Sequence, residues 1–317
     1  EVQSSKMVNA AAADEERLLV LGATGNVGRH VIARLVFLAG AGRTSQRVRI
    51  LAATRQPGAY SCDPPPEGCP AVVEPVACGA SAGEVAACVA AARPTRIFLC
   101  MPQALSADEM RAYSEAVVDA AVACGVAWLV RLSSCGIDRA PSQGPLGDAH
   151  LAGEEYCRKA GMGLTSVRPT SFHTNFEKYD VGSIAAESVF RSPLGLTAKV
   201  NWVHCRDIGY VVAALLASPI SPEALAARFE VVEVTGPASS TLSAGEMAAM
   251  LSEELGRPVR YEEVPAPPFP EYEALWTFLK AGGFDHSSDA VARLTGEEPL
   301  GMREVVRALR AELQPST

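Results

Sequence analysis

Residues 17–28, Arg-Leu-Leu-Val-Leu-Gly-Ala-Thr-Gly-Asn-Val-Gly, constrain this chain more than any other stretch. The apolar run 18–21 predicts a buried strand. Gly22, Gly25 and Gly28 come next at G-x-x-G-x-x-G spacing, and Val31, Ile32, Leu35, Val36 and Leu38 then recur at helical spacing. Strand, glycine turn and helix make a physical device. The first glycine permits a tight turn, the second lets backbone approach a pyrophosphate, and the third lets the helix pack against the strand. Unpaired N–H groups at the helix start then face an anion. The expectation is a dinucleotide, with Gly22, Thr24, Gly25, Asn26, Val27 and Gly28 around its pyrophosphate. Three glycines alone also suit an ordinary strand–turn–helix, so the pattern of the next hundred residues matters.

Those residues continue the same alternation. A strand at 47–53 runs into Thr54-Arg55-Gln56-Pro57. At that point of a dinucleotide fold an acid binds a free ribose 2′-hydroxyl, whereas an Arg suits a 2′-phosphate. Here there is Arg55 and no acid, and a guanidinium forms paired charge-assisted bonds to phosphate. NADP(H) is therefore expected over NAD(H), with a solvated loop charge as the other reading of Arg55. The Pro- and Gly-rich residues 57–70 read as a surface loop. Then come a strand at 71–76, a helix at 81–92 and a strand at 95–101 ended by Pro102. A Ser106–Glu109 capping box opens a helix to about 124, and a strand at 126–132 ends in Ser133-Ser134.

Such alternation predicts a parallel sheet covered on both faces, with ligands beyond the C-terminal strand ends. Four segments are expected to meet there: 22–28, Thr54-Arg55, Met101-Pro102 and Ser133-Ser134. Farther on, the pattern gives a helix after Asp148 to about 160, a strand at 164–168 and a loop at 169–176. A short strand at 199–204, a helix begun at Asp207, a strand at 229–234 and a Ser243–Glu246 capping box complete it. The predicted fold class is α/β, a Rossmann-like doubly wound parallel sheet with a small C-terminal α/β substrate lobe. The division expected is a flexible leader at 1–14, an NADP-binding domain at 15–168 with part of 199–235 returning to it, and a mostly smaller substrate lobe at 169–317.

Composition excludes several classes. The 317 residues carry a net charge of -8, without the clustered Lys and Arg of a nucleic-acid footprint. No apolar run is long enough for a membrane span. The nine cysteines are odd in number and form no Cys-x-x-Cys, which reads as reduced thiols inside a cell. Cys62 and Cys69, in the Pro-rich loop, leave oxidation or metal binding open for that pair. No set of His, Cys and Asp has metal-ligand spacing, so no metal is expected. Residues 1–14 read as a polar, Ala-rich leader, either the stub of an organellar transit peptide or an added tag. The expected location is intracellular and soluble: cytoplasm, or chloroplast or mitochondrion after transit-peptide removal.

Several motifs together resemble one family. They are Gly-Ala-Thr-Gly-Asn-Val-Gly at 22–28, Ser133-Ser134, His150-x-x-x-Glu154, Val167-Arg-Pro-Thr-Ser-Phe-His-Thr-Asn175, Trp202-Val-His-Cys-Arg-Asp207-Ile, Val234-Thr-Gly-Pro, and Ser243-Ala-Gly-Glu-Met with Leu255-Gly-Arg-Pro258. Over nearly its whole length the chain resembles the NmrA-like atypical short-chain dehydrogenase/reductases. The resemblance implies NADP(H) binding and a C-terminal lobe forming the substrate pocket. Members either reduce small organic substrates such as quinones, dyes, imines or alkenes, or bind NADP(H) as regulators without turnover.

The departure lies in the acid/base residues. Related dehydrogenases place a Tyr four residues before a Lys, and that Lys four residues before a Glu. Anchored on Glu154, the Lys position holds His150 and the Tyr position holds Leu146. Tyr156 and Lys159 are three apart and face elsewhere. Proton transfer from a positioned phenol contributes about 10²- to 10⁴-fold in rate, and Leu146 cannot supply it. An electrophilic quinone, imine or enone needs that help less than a simple ketone. His150 and Ser133 are the catalytic candidates, His150 because it titrates near neutrality; both also read as ribose- or backbone-bonding residues. Met101, Pro102, Ser133, His150 and Pro169 join the cofactor set, and Phe172, His173 and Asn175 the substrate pocket. The functional expectation is an NADPH-dependent oxidoreductase, with a non-catalytic NADP(H)-binding subunit as the alternative. The partner is then a small molecule or a protein, in a homodimer or a larger complex.

Overall fold

The computed structural model describes residues 15–44, 47–103, 105–126, 128–219, 224, 228–266 and 270–314. The leader expected at 1–14 lies outside them. No described helix is long and apolar enough to cross a membrane.

A seven-stranded sheet organises the chain. Its strands are β1 (Glu15–Val20), β2 (Arg47–Thr54), β3 (Ala71–Ala77), β4 (Arg96–Leu99), β5 (Trp128–Leu132), β6 (Gly163–Pro169) and β10 (Phe229–Val234), in the order β10-β6-β5-β4-β1-β2-β3. The β1–β2, β2–β3, β1–β4 and β4–β5 pairs are parallel. Leu18, Leu19 and Val20 are fully buried, as are Ile97, Phe98 and Leu99 of β4, so these strands read as unbroken apolar runs covered on both faces. The strand order reverses between β1 and β4, the switch point at which such sheets bind ligands.

The chain divides into two compact units. The first holds residues up to Leu132, Ala152–Ser166 and Gly209–Val231. Its core packs Leu19, Leu51, Val89, Leu99, Val117 and Leu129 between the sheet and its helices. Three of these are α1 (Gly28–Gly40), α2 (Ala82–Ala92) and α3 (Ala107–Ala123). Ser81 and Ser106 close capping boxes on Glu84 and Glu109, as the Ser-x-x-Glu spacing of α3 predicts.

The second unit holds Ser133–Leu151, Val167–Ile208 and the residues from Val232 onward. Here β7 (Ser171–Phe172) pairs with β9 (Lys199–Val203), and β11 (Thr241–Ser243) pairs antiparallel on β9. A separate parallel pair joins β8 (Val189–Ser192) to β12 (Arg260–Glu263). Phe176, Ile184, Met247, Leu251 and Val306 form the unit's main core. The third capping box, Ser243 on Glu246, opens a helix at Ala244–Leu255.

Element ends shift from the sequence expectation where tertiary pairing overrides local pattern. Strand one runs Glu15–Val20, not 17–22, because the turn already begins at Leu21, whose N–H crosses to the Phe98 carbonyl at 3.0 Å. The 169–176 segment is not a loop: β7 and a helix at His173–Tyr179 occupy it. Two strand residues pairing with Trp202 and Val203 are too few to leave a period in the sequence. The helix expected after Asp148 already starts three residues before Asp148, at Pro145, a residue suited to the first helical position.

One buried acid in the second unit yields a pH prediction. Asp180 links the His173–Tyr179 helix to the next, at Val181–Glu187, and burial pushes its carboxyl up to about 8. The protonated form is thus favoured by the fold. Stability tied to this group is complete below the unfolded-state value near 3.8 and is lost as pH rises toward 8. Asp180→Asn, neutral at every pH, is expected to match wild type at pH 4 and to exceed its Tm increasingly up to pH 8. A Tm difference that stays flat across that range would refute the assignment.

Candidate functional site

The glycine turn closes through backbone contacts. Gly22 has φ +77°, and a Cβ there would meet the Cys100 carbonyl oxygen at 3.1 Å, so the chain leaving β1 runs tight against the end of β4 at this turn. The Gly25 N–H donates to the Gly22 carbonyl at 3.0 Å, and a Gly25 Cβ would lie 3.2 Å from that oxygen. Gly28 is tighter still. Its Cβ would lie 2.1 Å from the Gly22 oxygen and 2.9 Å from the Ala23 Cα, so this glycine seats the helix on the turn itself. Ala23 and Val27 are buried, whereas Thr24, Gly25 and Asn26 are exposed.

The start of α1 differs from those of the three serine-capped helices. The helices that begin after Ser81, Ser106 and Ser243 each have a serine cap and a first-turn glutamate. Helix α1 has no side-chain cap at Val27 and no acid in its first turn. Its N-terminal dipole therefore faces out through the exposed Thr24–Asn26 backbone, where a phosphate is favoured.

Arg55 stands exposed immediately after β2, with Thr54 accepting the Gln56 N–H beside it. It borders a cavity of about 570 Å³ at the C-terminal ends of β2 and β3, lined also by Cys78, Gly79, Glu84 and Cys88. The acid of this cavity is already engaged: the hydroxyl and N–H of Ser81 hold Glu84 below the usual carboxylate range. Met101 and Pro102 are half-buried just beyond β4. The Met101 sulfur receives the Ser114 hydroxyl at 3.4 Å and contacts Arg131 Nη2 at 3.9 Å. A glycine cradle that a Cβ would fill, a helix start with no side-chain cap, and Arg55 beside a cavity whose Glu84 is held by Ser81 fit a dinucleotide carrying a 2′-phosphate. Gly22–Gly28, Arg55, Met101 and Pro102 all belong to the first unit.

The remaining candidates lie in the second unit. Ser133 is buried, its N–H donating to the Val167 carbonyl at 2.8 Å, and the Cys135 N–H donates to the buried Pro169 at 3.0 Å. These bonds bring the Ser133 and Pro169 segments side by side. Gln143, which carries no local sequence signal, accepts the Ser134 hydroxyl at 2.9 Å and donates to the Cys135 carbonyl. His150 is half-buried on the Pro145–Lys159 helix. Phe172 is half-buried and Asn175 exposed, whereas His173 is turned inward. His173 Nδ1 accepts the Cys205 N–H at 3.1 Å, and its Nε2 lies 3.1 Å from Glu177. Its ring stacks on His204 at 3.7 Å, and His204 Nδ1 accepts the Arg206 N–H. Accepting at Nδ1 places the His173 proton on Nε2 when neutral, aimed at Glu177.

The fold also assembles a cluster with no sequence signal. Cys135, Glu233 and His286 meet at one point, with Cys135 and His286 151 residues apart in the chain. Local ligand spacing cannot reveal residues so far apart. Hydrogen bonding from His286, with Arg139 beside it, lowers the Glu233 carboxyl to about 2. Burial and the Glu233 carboxylate push the Cys135 thiol up.

The architecture and the glycine turn define a Rossmann-type α/β protein with a nucleotide-binding strand–turn–helix. Residues 14–275 match the NmrA-like family, and the chain belongs to that family. It is 34% identical to a (4-alkanoyl-5-oxo-2,5-dihydrofuran-3-yl)methyl phosphate reductase of Streptomyces griseus over 248 residues, 78% of this chain and 77% of that one. It is 34% identical to an NAD(P)H azoreductase of Xenophilus azovorans over 168 residues, so the match spans about half of each, 52% of this chain and 53% of the azoreductase. In structure it resembles the NADPH-dependent quinone oxidoreductase of Escherichia coli complexed with NADPH, with TM-score 0.72 and 20% identity, covering 92% of this chain and 99% of that one.

Proposed function

We propose that this protein is an NADPH-dependent reductase that delivers hydride to a small electrophilic acceptor of the quinone, imine or enone type. The observation that carries the reading is the acid-free, uncapped start of α1 behind the Gly22–Gly28 contact. The activities of the azoreductase and the dihydrofuranyl phosphate reductase support it, since an azo group and a 5-oxo-2,5-dihydrofuran are both electron-poor acceptors.

When bound, NADPH supplies the hydride. In this reading Gly22, Thr24, Gly25, Asn26, Val27 and Gly28 hold the pyrophosphate through backbone N–H groups, and Arg55 holds the 2′-phosphate. Met101 and Pro102 flank a ribose. Ser133, His150 and Pro169 complete the cofactor set, with Ser133 and His150 as hydrogen-bonding or proton-donating groups toward the acceptor. Phe172, His173 and Asn175 belong to the substrate pocket, His173 through its hold on the Cys205 backbone. Leu146 and His150 stand where related dehydrogenases carry Tyr and Lys, so proton delivery rests on His150 or water, which suits acceptors that take hydride readily. The nine cysteines form no disulfide, which fits a reducing compartment.

The second reading, a non-catalytic NADP(H)-binding subunit, is favoured by Leu146 and His150 in place of the Tyr and Lys. A panel of quinones, imines and enones separates the two: NADPH consumption above background with any class supports the reductase, and silence across the panel supports the subunit. The cofactor assignment has its own readout. Arg55→Ala is expected to weaken NADPH about 10- to 100-fold, the worth of one charge-assisted phosphate pair, and to leave NADH within about twofold. Equal wild-type affinity for both cofactors would sink the assignment.

A further inference from the structure

The geometry points to a transition-metal site of the zinc class in the second unit, built from Cys135 Sγ, His286 Nε2 and a Glu233 carboxylate oxygen. The three ligand atoms all lie within 4.8 Å of one another. Cys135 Sγ is 3.5 Å from His286 Nε2, and that nitrogen is 3.1 Å from Glu233 Oε2. A tetrahedral zinc ion takes sulfur at about 2.3 Å and nitrogen or carboxylate oxygen at about 2.0–2.2 Å, so its ligands stand roughly 3.3–3.6 Å apart. Two edges of that tetrahedron are thus close to formed already, and the thiol and carboxylate that make the third are within 4.8 Å and in hydrogen-bond contact.

Both neighbours converge on one nitrogen. In a thiol–imidazole–carboxylate relay, the nucleophile and the carboxylate use opposite nitrogens of the ring. Here both approach Nε2. One ring nitrogen carries at most one proton, and the Cys135 thiol also hydrogen-bonds the Glu233 carboxylate, so the three groups close a triangle rather than form a relay. A cation between the three donors satisfies all of them at once.

The surroundings hold the ligands in place, as outer contacts do in metal sites. Cys135 is pinned through its backbone on both sides, by the Pro169 carbonyl and by Gln143 Nε2. Arg139 occupies Glu233 Oε1, which leaves Oε2 turned to the histidine. Ser288 bonds the Glu233 carbonyl and the Thr235 hydroxyl, at 2.7 and 2.8 Å, and so ties down the segment that carries His286. The second nearby guanidinium, Arg168, is balanced by Asp138 at 2.7 Å. Thiolate with imidazole favours zinc over magnesium or calcium, and three protein ligands leave a fourth position for water or an added ligand. Cys135 is fully buried, but the His286 and Glu233 side chains are 26% and 24% exposed, which gives an ion its way in.

Cobalt titration of the EDTA-stripped full chain tests this. One equivalent of Co²⁺ is expected to bind, with intense visible bands of a tetrahedral ion and a near-ultraviolet thiolate-to-cobalt band, both lost when Zn²⁺ is added. Cys135→Ser should remove the near-ultraviolet band. His286→Gln and Glu233→Gln should each weaken binding roughly tenfold or more. These two side chains are partly exposed, so the variants remain informative if Cys135→Ser fails to fold. Absence of saturable one-equivalent binding, a pale octahedral spectrum, or unchanged affinity in both His286→Gln and Glu233→Gln would overturn the site.

Discussion

Gly28→Ala is expected to abolish tight NADPH binding and to destabilise the first unit. An added Cβ would lie 2.1 Å from the Gly22 oxygen, 2.8 Å from the Gly22 carbonyl carbon and 2.9 Å from the Ala23 Cα. All three are backbone atoms, so no side-chain rotation relieves the clash. Helix α1 must move off the turn, and the turn is what aims the helix N–H groups. Overpacking of this kind costs about 1–3 kcal/mol or more in stability. A fall of at least ~100-fold in NADPH affinity, about 2.7 kcal/mol, should accompany it. Gly25→Ala separates the two effects. Its Cβ meets only one oxygen, at 3.2 Å, on an exposed turn. It should leave the Tm within a few degrees while still lowering affinity, because it thickens the surface facing the pyrophosphate. Fluorescence titration with NADPH and thermal melts of both variants make the comparison. Gly28→Ala binding within about threefold of wild type would show that the turn does not carry the ligand.

That contrast also shows how much of the molecule local sequence can hold. A glycine turn, a capping box and a buried parallel strand are local devices: Gly22–Gly28, Ser106–Glu109 and the run at Leu18–Leu21 each announce themselves within a short window. The sheet and its switch point follow from their alternation. Local pattern assigns Gly28 a role against the strand, whereas the folded chain seats it on the Gly22 carbonyl, a refinement that depends on three-dimensional packing. β7 leaves no local trace because its two residues owe their state to Trp202 and Val203. Cys135, Glu233 and His286 leave none because no short-range pattern links them. His173 shows a third limit. Its residue type suggests chemistry, yet whether it faces a pocket or a Cys205 N–H depends on a backbone segment elements away.

Arg131→Met is expected to be the most destabilising conservative-sized substitution in the first unit. Arg131 lies on β5 with no exposure at all. Its Nη1 donates to the Ser114 hydroxyl at 2.9 Å on α3, and its Nη2 contacts the Met101 sulfur at 3.9 Å. Gly153 makes room for it: a Cβ there would lie 2.7 Å from Nη2 and 2.8 Å from Cζ. Burial pulls the guanidinium below its usual range, while Cys157 and Glu154 act to keep it charged. Glu154 is 1% exposed and accepts the Ser166 hydroxyl at 2.5 Å. Removing the arginine takes away the donor that Ser114 accepts and leaves the space beside Gly153 poorly filled, a loss of about 1–3 kcal/mol. Glu154→Gln should cost less in the Arg131→Met background than in wild type, because the Glu154 charge then no longer favours a guanidinium at position 131. A coupling of at least ~1 kcal/mol is expected from the four-member cycle in urea. The Met101 sulfur loses one of its two polar contacts in the same step, so NADPH affinity should fall in Arg131→Met beyond what stability explains. Arg131→Lys should not rescue, since an ammonium cannot reach Ser114 and Met101 together as the planar fork does. An unfolding free energy within about 1 kcal/mol of wild type, or strict additivity with Glu154→Gln, would mean that the two charges do not depend on each other.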